Sequence, residues 1–154
     1  MSLNDAIEQL DNMTEPSSFF ETLASHMAEA CQAAYAEVIW VDTTRGQFMS
    51  IASGLMRYQG RPATKLTWAM HEGLYSDVYR RQEVTLYTQL HQQITDPQKI
   101  AHVPKSIHHA VLLPIIYRQK MRGLVACYRE EHAFDTEDIA QLVTLGVNLS
   151  GSFY

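Results

Sequence analysis

The stretch His109–Glu130, HAVLLPIIYRQKMRGLVACYRE, decides the fold of this chain. Two apolar runs rich in β-branched and aromatic residues, 110–117 and 124–128, flank a polar turn at 118–123. This pattern predicts an antiparallel hairpin. Pro114 stands inside the first run, and because proline cannot donate a ladder hydrogen bond, we expect it on an edge strand or at a bulge.

The segments on both sides of the hairpin predict further helices and strands. Asp135 is the expected N-cap of a last helix, and Glu137 and Asp138 favour the positive end of its dipole. The order α, ββ, short elements, ββ, α predicts an α+β domain whose antiparallel sheet carries the terminal helices on one face. The other expected elements are an N-terminal helix at 3–12, a helix at about 19–35, strands at 36–41, 47–52 and 64–68, a helix at 73–82, a strand at 83–87 and a helical turn near 89–93. The buried stripe of the last helix would consist of Ile139, Leu142, Val143, Gly146 and Leu149.

Length and composition exclude several classes of protein. The chain has 154 residues, enough for one domain, and its 46% apolar and 19% charged residues are typical of a globular protein. A net charge of −5 argues against a nucleic-acid surface. No apolar run approaches the ~18 residues of a membrane span. We therefore expect a soluble, cytoplasmic protein, and we expect the chain to be one domain cut from a longer protein.

Catalytic and metal-binding patterns are weak. The seven histidines are scattered, and the adjacent pair His108 and His109 would point to opposite faces of a strand. The serines lack the flanking glycines of a nucleophile elbow. Cys31 and Cys127 lie in apolar surroundings and are typical of buried, unreactive thiols. Neither a catalytic residue nor a metal site is predicted.

Six segments in order resemble the GAF domain family of sensory modules. They are the leading amphipathic helix, AEVIWVD (36–42), FMSIASG (48–54), GLYSDVYRRQEV (73–84), the 109–130 hairpin, and FDTEDIAQLVTLG (134–146). The resemblance covers about residues 17–153, so residues 1–16 would be an N-terminal helical extension and 17–154 the GAF-like domain. Ser76 and Gln82 depart from the family, which often has glycines at these positions.

The resemblance implies an antiparallel sheet of five or six strands, with the terminal helices on one face and a loop-roofed pocket on the other. It also implies a homodimer that signals through its terminal helices, and a small-molecule ligand whose identity, like that of any cofactor, is unknown. Aromatic and soft side chains are what such a pocket uses. The candidate ligand-binding residues are Trp40, Met49, Trp68, Met70, Tyr75, Tyr79 and His109.

Two alternatives stay open. A degenerate module serving only as a dimerisation scaffold would have its pocket packed shut by its own side chains. The GAF relatives that reduce free methionine sulfoxide use several cysteines in the loop region. This chain has no cysteine between Cys31 and Cys127, which disfavours that activity, so we expect a domain that is not an enzyme.

Overall fold

A computed structural model of the chain describes residues 18–30, 32–55, 67–69, 74–94, 103, 105–117 and 119–150. The predicted helix at 3–12 lies outside these residues. The described chain forms four helices and six strands in the order α, ββ, short elements, ββ, α, as predicted. The helices are α1 (Ser18–Ala30), α2 (Ser76–Arg81), α3 (Leu90–Gln93) and α4 (Thr136–Ser150); the strands are β1 (Tyr35–Asp42), β2 (Gln47–Leu55), β3 (Thr67–Ala69), β4 (Thr85–Tyr87), β5 (His109–Tyr117) and β6 (Lys120–Arg129).

The strands form one antiparallel sheet in the order β3-β2-β1-β6-β5-β4. This confirms the predicted α+β fold. The 109–130 stretch is the expected hairpin, paired from His109 with Arg129 to Tyr117 with Lys120. Its second strand begins earlier than the expected Leu124, because a register shift between Ile115 and Ile116 accommodates an extra residue on β6.

Pro114 occupies a position where its missing N–H costs little. It pairs with Leu124 of β6, whereas on the other side of β5 the short strand β4 pairs only with Ala110–Leu112. Within the described strands, β5 is therefore locally an edge at Pro114, although it is an inner strand of the sheet. The register shift comes only after Ile115, and its extra residue lies on β6, so the edge explanation is the one that applies to Pro114.

Gly123 lies where the backbones of β1 and β6 approach closely. It pairs with Trp40 on one side and Ile115 on the other. A Cβ atom at this position would collide with the backbone carbonyl oxygen of Ile39. Glycine is required here by space, because the obstacle is backbone that a rotamer change cannot remove.

The sheet separates two cores. On one face, α1 packs against β1, β2 and α4, and the apolar side chains of alternate strand positions lie beneath the helices. The other face lies under α2 and α3 and is more aromatic. The helix-side core contains Met27, Val38, Trp40, Val111, Leu113, Val125, Cys127 and Leu142; the opposite core contains Tyr35, Ile39, Phe48, Leu74, Tyr75, Leu90, Leu112, Leu124 and Tyr128.

The helix ends agree with the predictions in part. Asp135 caps α4, since its Oδ1 accepts a hydrogen bond from the Asp138 amide at 2.8 Å and the Asp138 carboxylate accepts one from the Asp135 amide at 3.0 Å. Leu142 is buried as expected, but Val143 is 42% exposed and does not belong to the buried stripe. Helix α1 stops at Ala30 instead of continuing to residue 35.

Glutamine occupies the left-handed turns. The described non-glycine residues with positive φ are Gln32, Gln82, Gln89 and Gln119, with φ between 52° and 65°. Gln82 ends α2 at φ 54° and ψ 38°, and its amide donates to the Val78 carbonyl. The turn that glycine often makes in the family is therefore kept, with the steric cost of a Cβ in the left-handed region.

Candidate functional site

Strand β1 carries a carboxylate into the core on the face away from the terminal helices. Because side chains alternate along a strand, Glu37 shares this face with Tyr35 and Ile39, while Trp40 lies on the other. Glu37 is only 2% exposed. Its Oε2 accepts a hydrogen bond from the hydroxyl of Ser50, at 3.3 Å, and Ser50 is itself fully buried.

Aromatic rings in mutual contact lie on the same side of the sheet as this carboxylate. The Tyr75 and Tyr128 hydroxyls are 3.2 Å apart, and the Tyr128 ring stacks on Tyr35 with centroids 4.6 Å apart. Phe48 meets both Tyr75 and Tyr79 edge to face, at 5.9 Å each. We call this set the Glu37 cluster; its members are Tyr35, Glu37, Phe48, Ser50, Tyr75, Tyr79 and Tyr128.

Burial controls the protonation of the cluster. Loss of hydration raises the pKa of Glu37 from 4.5 to about 7, and the Ser50 hydrogen bond opposes this only in part. Burial also raises the pKa of Tyr75 and Tyr128 well above 10, and the negative charge of Glu37 adds to the effect in both. At neutral pH the tyrosines are therefore neutral, and Glu37 exchanges between its acid and its carboxylate.

The structure does not bring the predicted ligand-binding residues together. Tyr75 and Tyr79 belong to the Glu37 cluster, but Trp40 and Met49 pack in the helix-side core on the opposite face of the sheet. His109 lies at the start of β5 and lines a different groove. Trp68 contributes its backbone to β3, and its side chain lies outside the described residues, as does Met70 altogether.

Sequence reasoning missed the polar members of the cluster. Glu37 and Ser50 stand in apolar strand segments whose hydrophobic pattern predicts a strand but no polar site. The single glutamate inside the run AEVIWV is the available signal, because a charge in a strand buried on both faces is costly unless another group pairs with it. Tyr128 had no comparable signal, since its face depended on the strand register.

A groove with a volume of about 660 Å³ lies at the end of the sheet near α3. Its walls include His91, Lys105, His108 and His109. Nε2 of His109 lies 3.1 Å from the Glu131 carbonyl oxygen, which can only accept, so this nitrogen donates. Among the described residues, no group of three or more histidine, cysteine or acidic side chains is placed to hold a metal ion.

Arg129 joins the sheet to the last helix. Its guanidinium lies 3.1 Å from the Asp138 carboxylate, donates to the Ala133 carbonyl at 3.0 Å, and covers the Phe134 ring at 4.4 Å. Burial alone would raise the pKa of Asp138, but hydrogen bonds from the Asp135 amide and from Arg129 outweigh it and lower the pKa. Arg129 directly follows Tyr128 on β6. Tyr128 belongs to the Glu37 cluster, and the next residue, Arg129, contacts the start of α4.

Two further observations bear on function. In the described part of the chain, no helix is long and apolar enough to cross a membrane.

The Cys127 thiol is fully buried in the helix-side core, on the face opposite Glu37, and Cys31 lies outside the described residues. A thiol in that position cannot reach a ligand bound on the Glu37 face.

The sequence matches the family model for GAF domains over residues 14–150. No protein with a curated function matches it. The match covers nearly the whole chain and all ten described elements fall within it.

The fold is also similar to solved structures. The GAF domain of a phosphoenolpyruvate-protein phosphotransferase from Coxiella burnetii superposes with a TM-score of 0.71 at 19% identity, covering 97% of this chain and 91% of that chain. The blue-light absorbing form of the Thermosynechococcus elongatus PixJ GAF domain gives a TM-score of 0.69 at 15% identity, covering 88% and 83%. The type II free methionine-R-sulfoxide reductase of Thermoplasma acidophilum gives 0.60 at 17% identity, covering 87% and 93%. At these identities the likeness shows the fold.

Proposed function

This chain belongs to the GAF domain family, which serves as a sensory or regulatory domain in its structural neighbours, and from that premise we propose that it binds a small molecule at the Glu37 cluster. The ligand would act on the terminal helices of a homodimer, without catalysis by the domain itself. One observation carries this proposal: a buried carboxylate among tyrosine hydroxyls lies on the sheet face away from the terminal helices.

A purely structural role explains the cluster poorly. Burying a carboxylate costs several kcal/mol unless it is paired, and the hydrogen bond from Ser50 is neutral and long, at 3.3 Å. Among the described residues, the buried polar or charged side chains are Glu37 and Ser50, and neither belongs to the helix-side core. The helix-side core therefore avoids the energetic cost of buried polar groups, and those groups lie on the opposite face of the sheet.

Strand β6 connects the Glu37 cluster to the terminal helices. A ligand that displaces Tyr128 moves the backbone that also carries Arg129, and Arg129 holds the start of α4 through Asp138. Helix α4 packs against α1, so a small shift at the cluster reaches both terminal helices. Two helix packings that differ by a few kcal/mol are enough for a switch.

Ligand binding is tested first on the purified protein. We expect native mass spectrometry to find a retained small molecule, or a thermal-shift screen of nucleotides, tetrapyrroles, amines and small acids to give a stabilising compound. The Tyr75→Phe variant would weaken that binding, whereas Tyr87→Phe, which removes a hydroxyl outside the cluster, would not. A scaffold without a ligand predicts neither a retained molecule nor a shift, and that result would refute the sensor proposal.

The homodimer is tested separately. Val143 is 42% exposed on α4, and Val84 is 39% exposed just before β4, on a different part of the molecule. If the terminal helices form the interface, Val143→Glu shifts sedimentation toward the monomer and Val84→Glu does not. A wild-type protein that sediments as a monomer over a hundredfold range of concentration would contradict this part of the proposal.

A further inference from the structure

We propose that the groove between α3 and the start of β5 is a binding site for an oxyanion, such as a phosphate or a carboxylate group. None of the described residues that line this groove belongs to the Glu37 cluster. The inference therefore goes beyond the proposed function and does not depend on it.

Backbone hydrogen bonds hold together the segments that form the groove. The Leu90 amide donates to the His108 carbonyl at 2.7 Å, and the His108 amide donates to the Arg129 carbonyl at 3.1 Å. The side chains of Leu90 and Ile107 are fully buried, which anchors α3 and the approach to β5. The groove is therefore formed by the chain itself, and its volume of about 660 Å³ is ordinary for a small-molecule site.

Most of the groove wall consists of side chains that can donate hydrogen bonds. These side chains belong to Gln89, His91, Gln92, Lys105, His108 and His109. A lysine ammonium and a glutamine amide always donate, and an imidazole donates from at least one nitrogen. An oxyanion offers several acceptor oxygens to such a wall, whereas an apolar ligand would leave the donors without partners.

The adjacent residues His108 and His109 both line the groove. Neighbouring residues of a strand point to opposite faces, but β5 begins at His109, so His108 precedes the strand. Their ring centroids are 6.4 Å apart, and the ring planes are nearly perpendicular, at 89°. The hydrogen bond from His109 to the Glu131 carbonyl fixes one ring, while His108 is exposed and its ring is accessible to a ligand.

The charges of the described wall favour an anion when a histidine is protonated. Lys105 is positively charged, and Glu131 is the one acidic residue among the described wall residues. These two charges balance, so a proton on His91 or His108 makes this part of the wall cationic. A charge-assisted hydrogen bond to an oxyanion is roughly twice as strong as a neutral one. The Glu131 carboxylate opposes an anion, so its removal tests the proposal in the opposite direction.

Inorganic phosphate and acetate test the oxyanion class, and methylammonium is the probe of opposite charge. Each is titrated into ¹⁵N-labelled protein at pH 6.5 and constant ionic strength, and the amide shifts of His91, Lys105 and His108 report binding. We expect at least one of the two oxyanions to bind about fivefold more tightly than methylammonium. Binding of phosphate alone assigns the site to a phosphate group, binding of acetate alone assigns it to a carboxylate, and each result supports the proposal.

Three exposed residues provide the variants, so each substitution is expected to leave the fold intact. Lys105→Gln is expected to weaken the oxyanion about three- to fivefold, the usual size of one exposed charge pair. Lys120→Gln, at the start of β6 and outside the described groove wall, is the matched control and would change nothing. Glu131→Gln is expected to strengthen the oxyanion about twofold, because it removes a repulsive charge.

Three outcomes would overturn the inference. If methylammonium binds as tightly as both oxyanions, the charge preference is wrong. If Lys120→Gln weakens the oxyanion as much as Lys105→Gln, the anion binds the surface at large and not the groove. If neither oxyanion shifts the three amides at concentrations up to roughly 50 mM, the groove is not an oxyanion site. The proposed function is tested at Tyr75, on other residues, so each of these failures leaves it standing.

Discussion

Replacing Glu37 by glutamine is expected to make the domain more stable at pH 8 while changing little at pH 5. In the folded protein the pKa of Glu37 is about 7, against 4.5 for an exposed glutamate. The folded state therefore keeps the proton up to about pH 7, whereas the unfolded chain releases it near pH 4.5. The stabilisation from this proton is complete below pH 4.5, and it is lost as the pH rises through 7.

The magnitude follows from these two pKa values. One pH unit of such linkage is worth about 1.4 kcal/mol, so the full interval corresponds to about 3 kcal/mol. Between pH 5 and pH 8 the unfolding free energy of wild type would fall by about 2.5 kcal/mol relative to that of Glu37→Gln. The rest of the loss occurs below pH 5, because the unfolded chain releases its proton near pH 4.5. For a domain of this size that is a relative change in Tm of roughly 5–10 °C. Glutamine keeps the shape and can still accept from the Ser50 hydroxyl, so packing changes little.

The assay is urea unfolding at half-unit pH steps from 5 to 8, followed by tryptophan fluorescence, on wild type, Glu37→Gln and the exposed control Glu29→Gln. The difference between wild type and Glu37→Gln is expected to grow up to pH 7 and then flatten. The Glu29→Gln curve would run parallel to wild type. If the Glu37→Gln curve also runs parallel to wild type over this range, the carboxylate is not buried as described, and the electrostatic argument for the site fails.

Three further substitutions test the scaffold. Gly123→Ala is expected to cost about 1–3 kcal/mol in unfolding free energy, because its methyl group meets the Ile39 carbonyl; an unchanged denaturation midpoint would refute the close approach. Arg129→Met removes the ion pair with Asp138 and is expected to cost about 1–2 kcal/mol in unfolding free energy, less at high salt; if the variant is as stable as wild type at all salt concentrations, the ion pair does not stabilise the domain. Gln82→Gly is expected to add about 1 kcal/mol by relieving a left-handed residue, visible as a Tm rise of roughly 2–4 °C, and a fall in Tm would show the opposite.

The order of elements could be predicted from the sequence because each element has a local signal. The 109–130 hairpin combines two β-rich runs with a short polar connection, and Asp135 with Asp138 forms a cap that is readable from spacing alone. The sequence predicts Pro114 at an edge or a bulge, and the short reach of β4 leaves β5 locally an edge at this residue. These features depend on residues that are close in the chain.

The site could not be predicted in the same way, because its members come together only through strand register. Trp40 and Glu37 lie three residues apart on β1, and this odd spacing puts them on opposite faces of the sheet. Tyr75 lies on the same face as Glu37, so the sheet separates the two predicted ligand-binding residues Trp40 and Tyr75. Tyr128 meets Tyr75 across 53 positions of sequence. Periodicity identifies a strand as buried, but it does not tell which of the two cores each side chain enters.

The glutamines in left-handed turns have an evolutionary consequence. Gln32, Gln82, Gln89 and Gln119 hold conformations in which glycine would avoid a steric penalty of about 1 kcal/mol or more each. No glutamine codon becomes a glycine codon by a single nucleotide change, and the intermediate residues, arginine and glutamate, carry the same Cβ penalty. A lineage can therefore relieve these turns only by passing through variants that bring no gain. Directed mutagenesis introduces glycine in one step, so these turns are positions where an engineered substitution gains stability that single-nucleotide changes do not give.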